Sequence, residues 1–141
     1  MSDIKAFMTA SVGKEEKSVV VSNRFKDENG KPVPFVIKVL TQEENESLRR
    51  QASKPQKRNG VIIGEQLDSV KYGKLLVLAS VKEPNLGDKE LCKFYGTLDP
   101  LDVASKMLTA GEYGRLVQAI NDLNGFTEEE AEVLEDEAKN S

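Results

Sequence analysis

The stretch "DSVKYGKLLVLASV" (residues 68–81) decides the fold of this 141-residue chain. Its residues from Leu75 to Ala79 are all apolar, and Tyr72 precedes them at the spacing of one helical face. A helix that is apolar on every side is stable only in the interior of a protein. The sequence therefore predicts a central buried helix on which the other elements pack.

A second helix is predicted by "MLTAGEYGRLVQAINDLNGF" (residues 107–126). Thr109 and Glu112 have the spacing of a capping box, in which each side chain accepts a hydrogen bond from the other residue's backbone N–H. Gly125 is a typical residue at the end of a helix. The apolar face of this helix consists of Tyr113, Leu116, Val117, Ile120 and Leu123. The helix is suited to packing or docking, because it carries no residue suited to catalysis.

Three more helices have recognisable beginnings. Thr41 and Glu44 form another capping box, before a segment with few apolar residues that we expect on the surface. Asp88 can cap a short helix. Asp99 can cap another, with Pro100 at the first helical position, where its missing N–H has no intrahelical partner to lose.

Two runs rich in branched and aromatic residues predict β-strands: "SVVVSNRF" (residues 18–25) and "VPFVIKVL" (residues 33–40). Asn29 and Gly30 tolerate positive φ, so they can close an antiparallel hairpin between these strands. A hairpin alone is marginally stable, and "GVIIG" (residues 60–64) can supply a third short strand.

These patterns predict an α+β fold, with an N-terminal antiparallel β-hairpin packed on a bundle of about five helices. Residues 1–126 form the single domain of this interpretation, and residues 127–141 form an acidic C-terminal helix or tail. Residues 49–64 contain five basic residues and no acidic one, and the part through Gly60 is interpreted as a mobile loop. Opposite charges on loop and tail favour self-association.

The composition excludes several kinds of chemistry. The chain has no histidine, which removes the usual general base and metal ligand, and its net charge of −4 argues against nucleic acid as a partner. No apolar run is long enough to span a membrane, so we expect a cytoplasmic protein. Cys92 is either a small core residue, which we favour, or a thiol activated by Lys93. We predict no catalytic, cofactor-binding or metal-binding residue.

Partner binding is the remaining role for side chains at helical spacing. Ile4, Phe7 and Met8 form a short apolar stripe, which either docks on the protein's own core, the option we favour, or contacts a partner. Leu134 lies in a narrow apolar seam of the acidic C-terminal segment, and Val133 lies beside this seam. Such a helix gains little from burial. All five residues are therefore candidate partner contacts.

Several local stretches resemble the XkdN-like family of phage tail assembly chaperones. They are "NRFKDENGKPVPFVIKVLTQEENESLRR", "EPNLGDKELCKFYG", "MLTAGEYGRLVQAINDLNGF" and the acidic ending "EDEAKN", which together span most of the chain from Asn23 onward. The resemblance implies a non-enzymatic protein that binds the phage tape measure protein in the host cytoplasm. It also implies that the chaperone holds this partner until tail tube subunits polymerise around it, and that it is absent from the mature virion.

Other functions compete with this interpretation. A structural tail component, such as a connector or a subunit bound to the tail tube protein, would share the small acidic α+β character. A general protein-binding adaptor would share the exposed apolar stripes. An enzyme acting through carboxylates or Cys92 would need a pocket with convergent polar groups, of which the sequence gives no sign.

Overall fold

The computed structural model describes residues 4–9 and 14–125, and it has the predicted α+β fold. The elements follow along the chain in the order α1 (Ile4–Thr9), β1 (Glu16–Val19), β2 (Phe35–Lys38), α2 (Gln42–Ala52), β3 (Ser53–Arg58), β4 (Val61–Leu67), α3 (Ser69–Ser80), β5 (Val81–Glu83), α4 (Lys89–Phe94), α5 (Pro100–Met107) and α6 (Ala110–Asn124). Strands β1, β2 and β5 form one antiparallel sheet, and β3 and β4 form a separate hairpin.

Helix α3 is the predicted central buried helix. The Asp68 side chain caps it by accepting a hydrogen bond from the backbone N–H of Lys71 at 3.1 Å. The helix contacts α2, α5, α6 and β5, so it joins the helical layer to the sheet. Tyr72 and Leu76 are fully buried. The prediction from residues 68–81 is therefore confirmed.

Helix α2 packs along α3 with a sparse buried face and remains exposed elsewhere. Its buried residues are Asn45, Leu48 and Ala52. The hydroxyl of Tyr72 on α3 donates a hydrogen bond to the side-chain oxygen of Asn45. A buried polar pair of this kind requires a specific alignment of the two helices, because an unpaired group would carry the cost of its lost hydration.

The predicted helix caps are present. Thr41 with Glu44, and Thr109 with Glu112, form complete capping boxes. Gly125 ends α6 in the left-handed conformation at φ 62°, which costs glycine less than any residue with a Cβ. Asp88 and Asp99 cap α4 and α5, with proline in the first turn of α5.

The first two strands pair antiparallel as predicted, but both are shorter than residues 18–25 and 33–40. The chain leaves the ladder after Val19 because the next residues bind α6 instead. The carbonyl of Val21 accepts a hydrogen bond from Arg115 Nε at 3.1 Å, and Arg24 forms an ion pair with Glu112.

Residues 20–34 form a long loop that contains a turn at residues 27–30. The Asp27 carboxylate accepts hydrogen bonds from the backbone N–H groups of Asn29 and Lys31 at 2.8 and 3.0 Å. Of the two residues predicted to close this turn, Gly30 has positive φ, at 78°. The aspartate side chain stabilises the turn in place of a second left-handed residue.

The third strand of the sheet is β5, not residues 60–64 as predicted. In β5, Val81 pairs with Ile37 of β2. Residues 60–64 belong instead to the β3–β4 hairpin, which replaces the predicted mobile loop. Both predictions were wrong because residues 59 and 60 form a turn of their own, with φ 54° at Asn59 and 80° at Gly60. Positive φ at both central residues matches the twist of adjacent strands and closes a two-residue hairpin.

The core is a single cluster of buried residues from the sheet and the helices. Phe35 and Ile37 enter it from β2, and Leu116 and Ile120 enter it from α6. Cys92 is buried beside the carbonyl of Leu86, with 3.5 Å between sulfur and oxygen. It is thus a small core residue, the favoured interpretation of this cysteine.

Leu76→Ala should lower the free energy of unfolding by about 2–5 kcal/mol, because it leaves a cavity at a fully buried position. Val70 is half exposed on the same helix, so Val70→Ala is the matched control and should change that free energy by about 0.5 kcal/mol or less. Urea unfolding of both variants tests this. Equal effects would contradict the central position of α3.

Candidate partner-binding site

Helix α1 presents an apolar stripe to solvent. Ile4, Phe7 and Met8 lie on one side of the helix, and the side chain of Phe7 is 77% exposed. Ile4 and Met8 are also exposed by well over half. The favoured interpretation, that this stripe docks on the protein's own core, is therefore wrong. Their role as partner contacts stays a prediction. Val133 and Leu134 lie outside the described residues, as does the segment 127–141.

The β3–β4 hairpin is a second exposed surface, at a position where the sequence had indicated a loop. Its base is attached to the domain, because the backbone N–H of Asp68 donates to the carbonyl of Ala52 at 2.8 Å. Ser53 and Leu67, at the two ends of the hairpin, are partly buried. All residues between them are exposed, so both faces of the hairpin meet solvent.

The tip of the hairpin combines apolar and basic side chains. Val61, Ile62 and Ile63 are 56 to 63% exposed. Arg58 pairs with Val61, and Lys57 pairs with Ile62. Side chains that are opposite each other in a ladder share a face, so each face carries one β-branched and one basic residue.

A break in the ladder adds a further apolar side chain. The register shifts between Gln56 and Lys57, whose partners are Gly64 and Ile62, so Ile63 has no partner in the ladder. An extra residue of this kind increases the local twist of a hairpin. We call residues 54–66 with these features the basic–apolar hairpin.

A groove of about 620 Å³ lies between the 20–34 loop and the ends of β5 and α5. Its apolar lining comes from Phe25, Val33, Pro34, Phe35, Pro84 and Met107. The polar groups at its rim are Arg24, Lys26 and Glu83. Arg24 is already engaged in an ion pair. The groove is thus mainly an apolar surface.

A cluster of polar side chains links this loop to α6. Nε and Nη2 of Arg24 donate to the Glu112 carboxylate at 3.1 and 2.5 Å, and Nη2 also donates to the Met107 carbonyl at 2.9 Å. The same carboxylate accepts from the backbone N–H of Thr109 at 2.9 Å. These contacts explain why the 20–34 loop follows α6.

The pKa of Glu112 is held far below its usual value. The hydrogen bond from Arg24 is the largest cause, followed by those from the Ser22 side chain and the Thr109 backbone. A carboxylate that accepts this many hydrogen bonds and has a lowered pKa is a weak proton acceptor near neutral pH. Glu112 is therefore a structural anchor.

Two neighbouring carboxylates, Asp99 and Asp102, also have structural roles. Asp99 accepts a hydrogen bond from the backbone N–H of Leu101 at 3.0 Å as the cap of α5. Asp102 forms an ion pair with Lys74 at 3.0 Å.

Within residues 4–9 and 14–125, no group of three or more cysteine or acidic side chains could hold a metal ion. None of the helices described is long and apolar enough to cross a membrane.

One signal in the sequence could have identified the hairpin. Asn59–Gly60 is the dipeptide most typical of a two-residue turn, and it stands between Arg58 and Val61 without any other turn residue. Pro55 and the charged residues before it indicated a loop. The structure shows that Pro55 lies in β3, a strand with neighbours on one side only, where a missing N–H is tolerated.

Comparison with known proteins gives a consistent result. The family of phage XkdN-like tail assembly chaperone proteins matches residues 4–139. The chain is 33% identical over 140 residues to the phage-like element PBSX protein XkdN of Bacillus subtilis, covering 98% of this chain and 94% of that protein. It is equally similar to YqbN of the same organism, at 33% identity over 98% of this chain and 93% of YqbN. A crystal structure of YqbN superimposes with a TM-score of 0.74 at 29% identity, over 90% of this chain and 99% of that one.

Glu112→Gln should reduce the acid sensitivity of folding. Because the folded-state pKa is lowered, the carboxylate stabilises the protein fully above the unfolded-state pKa of about 4.3. This stabilisation declines below about pH 5 and is lost as pH falls through the folded-state pKa. In urea unfolding, the variant should be less stable than wild type at pH 7, with a smaller loss between pH 7 and about pH 3.

Glu28→Gln is the matched control, because Glu28 is exposed in the 20–34 loop. It should keep the wild-type difference between the two pH values. An unchanged difference in Glu112→Gln would show that the ion pair with Arg24 does not stabilise the fold.

Proposed function

The chain belongs to the XkdN-like family of phage tail assembly chaperones, and from this premise we propose that it binds the tape measure protein of its phage. It keeps that long helical protein soluble until tail tube subunits polymerise around it. The proposal rests on family membership together with one structural observation. Large apolar side chains are exposed on α1 and on the basic–apolar hairpin, while the core is complete without them.

Two separate surfaces suit a long partner. The α1 stripe with Phe7 fits the apolar face of a partner helix, and the hairpin tip with Ile62 offers a second contact. Each surface is small and binds weakly by itself, because burying one large side chain contributes only about 1.5–3 kcal/mol. Two weak contacts on one molecule gain strength through effective concentration. Either contact can still open by itself, so polymerising tube subunits can displace the chaperone stepwise.

The basic residues of the hairpin select among apolar partners. Lys57 and Arg58 form no ion pair with any residue in the described parts of the chain. They favour segments in which acidic side chains flank the apolar ones, because opposite charges attract and like charges repel across an interface. A purely apolar segment has no acidic side chains and therefore cannot pair with Lys57 and Arg58.

In this proposal the protein acts in the host cytoplasm and catalyses no reaction. The polar side chains examined for chemistry serve as helix caps or ion pairs, as Asp99, Asp102 and Glu112 do. The chaperone leaves before the virion is complete. Mass spectrometry of purified virions should therefore lack this protein. A fixed copy number in virions would instead identify it as a structural tail component.

Phe7→Asp and Ile62→Asp should each weaken binding to the tape measure protein by about tenfold, which corresponds to about 1.4 kcal/mol. A charge placed on either surface must be desolvated when the partner binds. Co-expression with the tape measure protein and quantification of the co-purified complex measure the effect. The soluble yield of the partner should decrease in parallel.

Leu98→Asp provides the control for these substitutions. Leu98 is 99% exposed between α4 and α5, outside both surfaces, so the same chemical change should leave binding unaltered. If Phe7→Asp and Ile62→Asp behave like Leu98→Asp, neither surface holds the partner. A tape measure protein that stays soluble without this chain would refute the proposed function itself.

A further inference from the structure

The basic–apolar hairpin lacks a cover within the described residues. An isolated two-stranded hairpin is at best marginally stable in water. This one exposes both faces, with three β-branched side chains close to Lys57 and Arg58. A segment that covers it needs apolar side chains for Val61 to Ile63 and carboxylates for the two cations.

The chain contains such a segment after α6. Residues 127–141 hold seven acidic residues and one lysine. Val133 and Leu134 stand within this segment, directly flanked by Glu132 and Glu135. The order acidic, apolar, apolar, acidic complements a hairpin tip where β-branched and basic residues are cross-strand neighbours. The charge and the apolar content of the two segments therefore match.

The end of α6 is close enough to the hairpin for contact within one molecule. The Asn124 side chain accepts a hydrogen bond from the backbone N–H of Leu40 at 2.7 Å, so α6 ends where α2 begins. Helix α2 has 11 residues and leads directly to the base of the hairpin, a distance of about 16 Å. Ile63 lies four residues beyond that base on β4, at most about 13 Å further. The nine residues from 126 to 134 span up to about 32 Å when extended. Leu134 can therefore reach Ile63 on the hairpin.

We propose that the acidic segment 127–141 docks on the basic–apolar hairpin of its own molecule. Leu134 and the adjacent Val133 contact Ile62 and Ile63, and the glutamates that follow them pair with Lys57 and Arg58. Attachment to the same chain gives the segment a high effective concentration, so a modest contact is sufficient. The basic–apolar hairpin is thus the binding surface of an internal ligand.

This docking does not depend on the proposed function, because it takes place in the free protein. If the proposed function also holds, the segment 127–141 and the partner compete for the basic–apolar hairpin. Weakening the docked segment then strengthens binding of the partner. Leu134→Asp would then increase the amount of partner bound. A direct contact of Leu134 with the partner would decrease it.

Cross-linking tests the docking without any partner. A carbodiimide couples lysine amines directly to carboxylates in contact with them, and it is applied to an equal mixture of full-length chains with and without ¹⁵N. We expect cross-linked peptides that join Lys54 or Lys57 to the segment 128–137. These peptides should be uniformly light or uniformly heavy, and their yield should fall when salt screens the charges.

Two results would overturn the proposal. Absence of these cross-links would show that the segment does not contact the hairpin. Mixed light and heavy pairs at the random proportion would place the acidic segment on the hairpin of a second copy, which would also explain salt-dependent self-association.

Hydrogen exchange of the full-length chain provides a second measurement. Val133→Asp with Leu134→Asp should speed amide exchange in β4 by roughly three- to tenfold, because the cover is lost. Amides of α6 serve as an internal reference and should keep their rates. Phe7→Asp is the control, because it adds a charge to the other exposed surface and should leave exchange in β4 unchanged. An unchanged rate in the double variant would contradict docking.

Discussion

Helix α3 is apolar on every side from Leu75 to Ala79, and the arrangement of the other elements keeps this part of the helix largely out of water. Tyr72 and Leu76 on this helix are completely buried. Helices α2, α5 and α6 and strand β5 all contact it. Burial of so many large apolar side chains on one element provides a major part of the free energy of folding. The Tyr72–Asn45 hydrogen bond then fixes how α2 lies against it.

This arrangement determines which residues lie in the core and which lie at the surface. Branched and aromatic residues of β2, α3 and α6 fill the core, and polar side chains such as Asp68 and Thr109 cap helices. Apolar residues at α1 and at the hairpin tip have no place in that core. Exposed apolar groups of this size are costly in a protein without a binding partner. Our proposal assigns these residues to partner binding, in keeping with the chaperone family to which the chain belongs.

Local signals predicted the helices well, because caps and apolar faces act within a few residues. Thr109 with Glu112 and Asp99 with Pro100 are examples. Pairings between distant segments could not be predicted in this way. Val81 pairs with Ile37 although two helices and a hairpin lie between them in the chain, and Arg24 contacts Glu112 across 88 residues. The hairpin surface was missed for another reason: charged residues and Pro55 resemble a loop, although Asn59–Gly60 marks a turn.

The edges of the three-stranded sheet determine what kind of association this protein permits. Strand β5 has only three residues, and β1 is charged and exposed. Lys82 and Glu16, one on each outer strand, form an ion pair of 2.7 Å across β2. Short, charged edges are poor templates for an additional strand. If the chain holds an aggregation-prone partner, as we propose, this three-stranded sheet offers that partner no edge on which to start cross-β pairing.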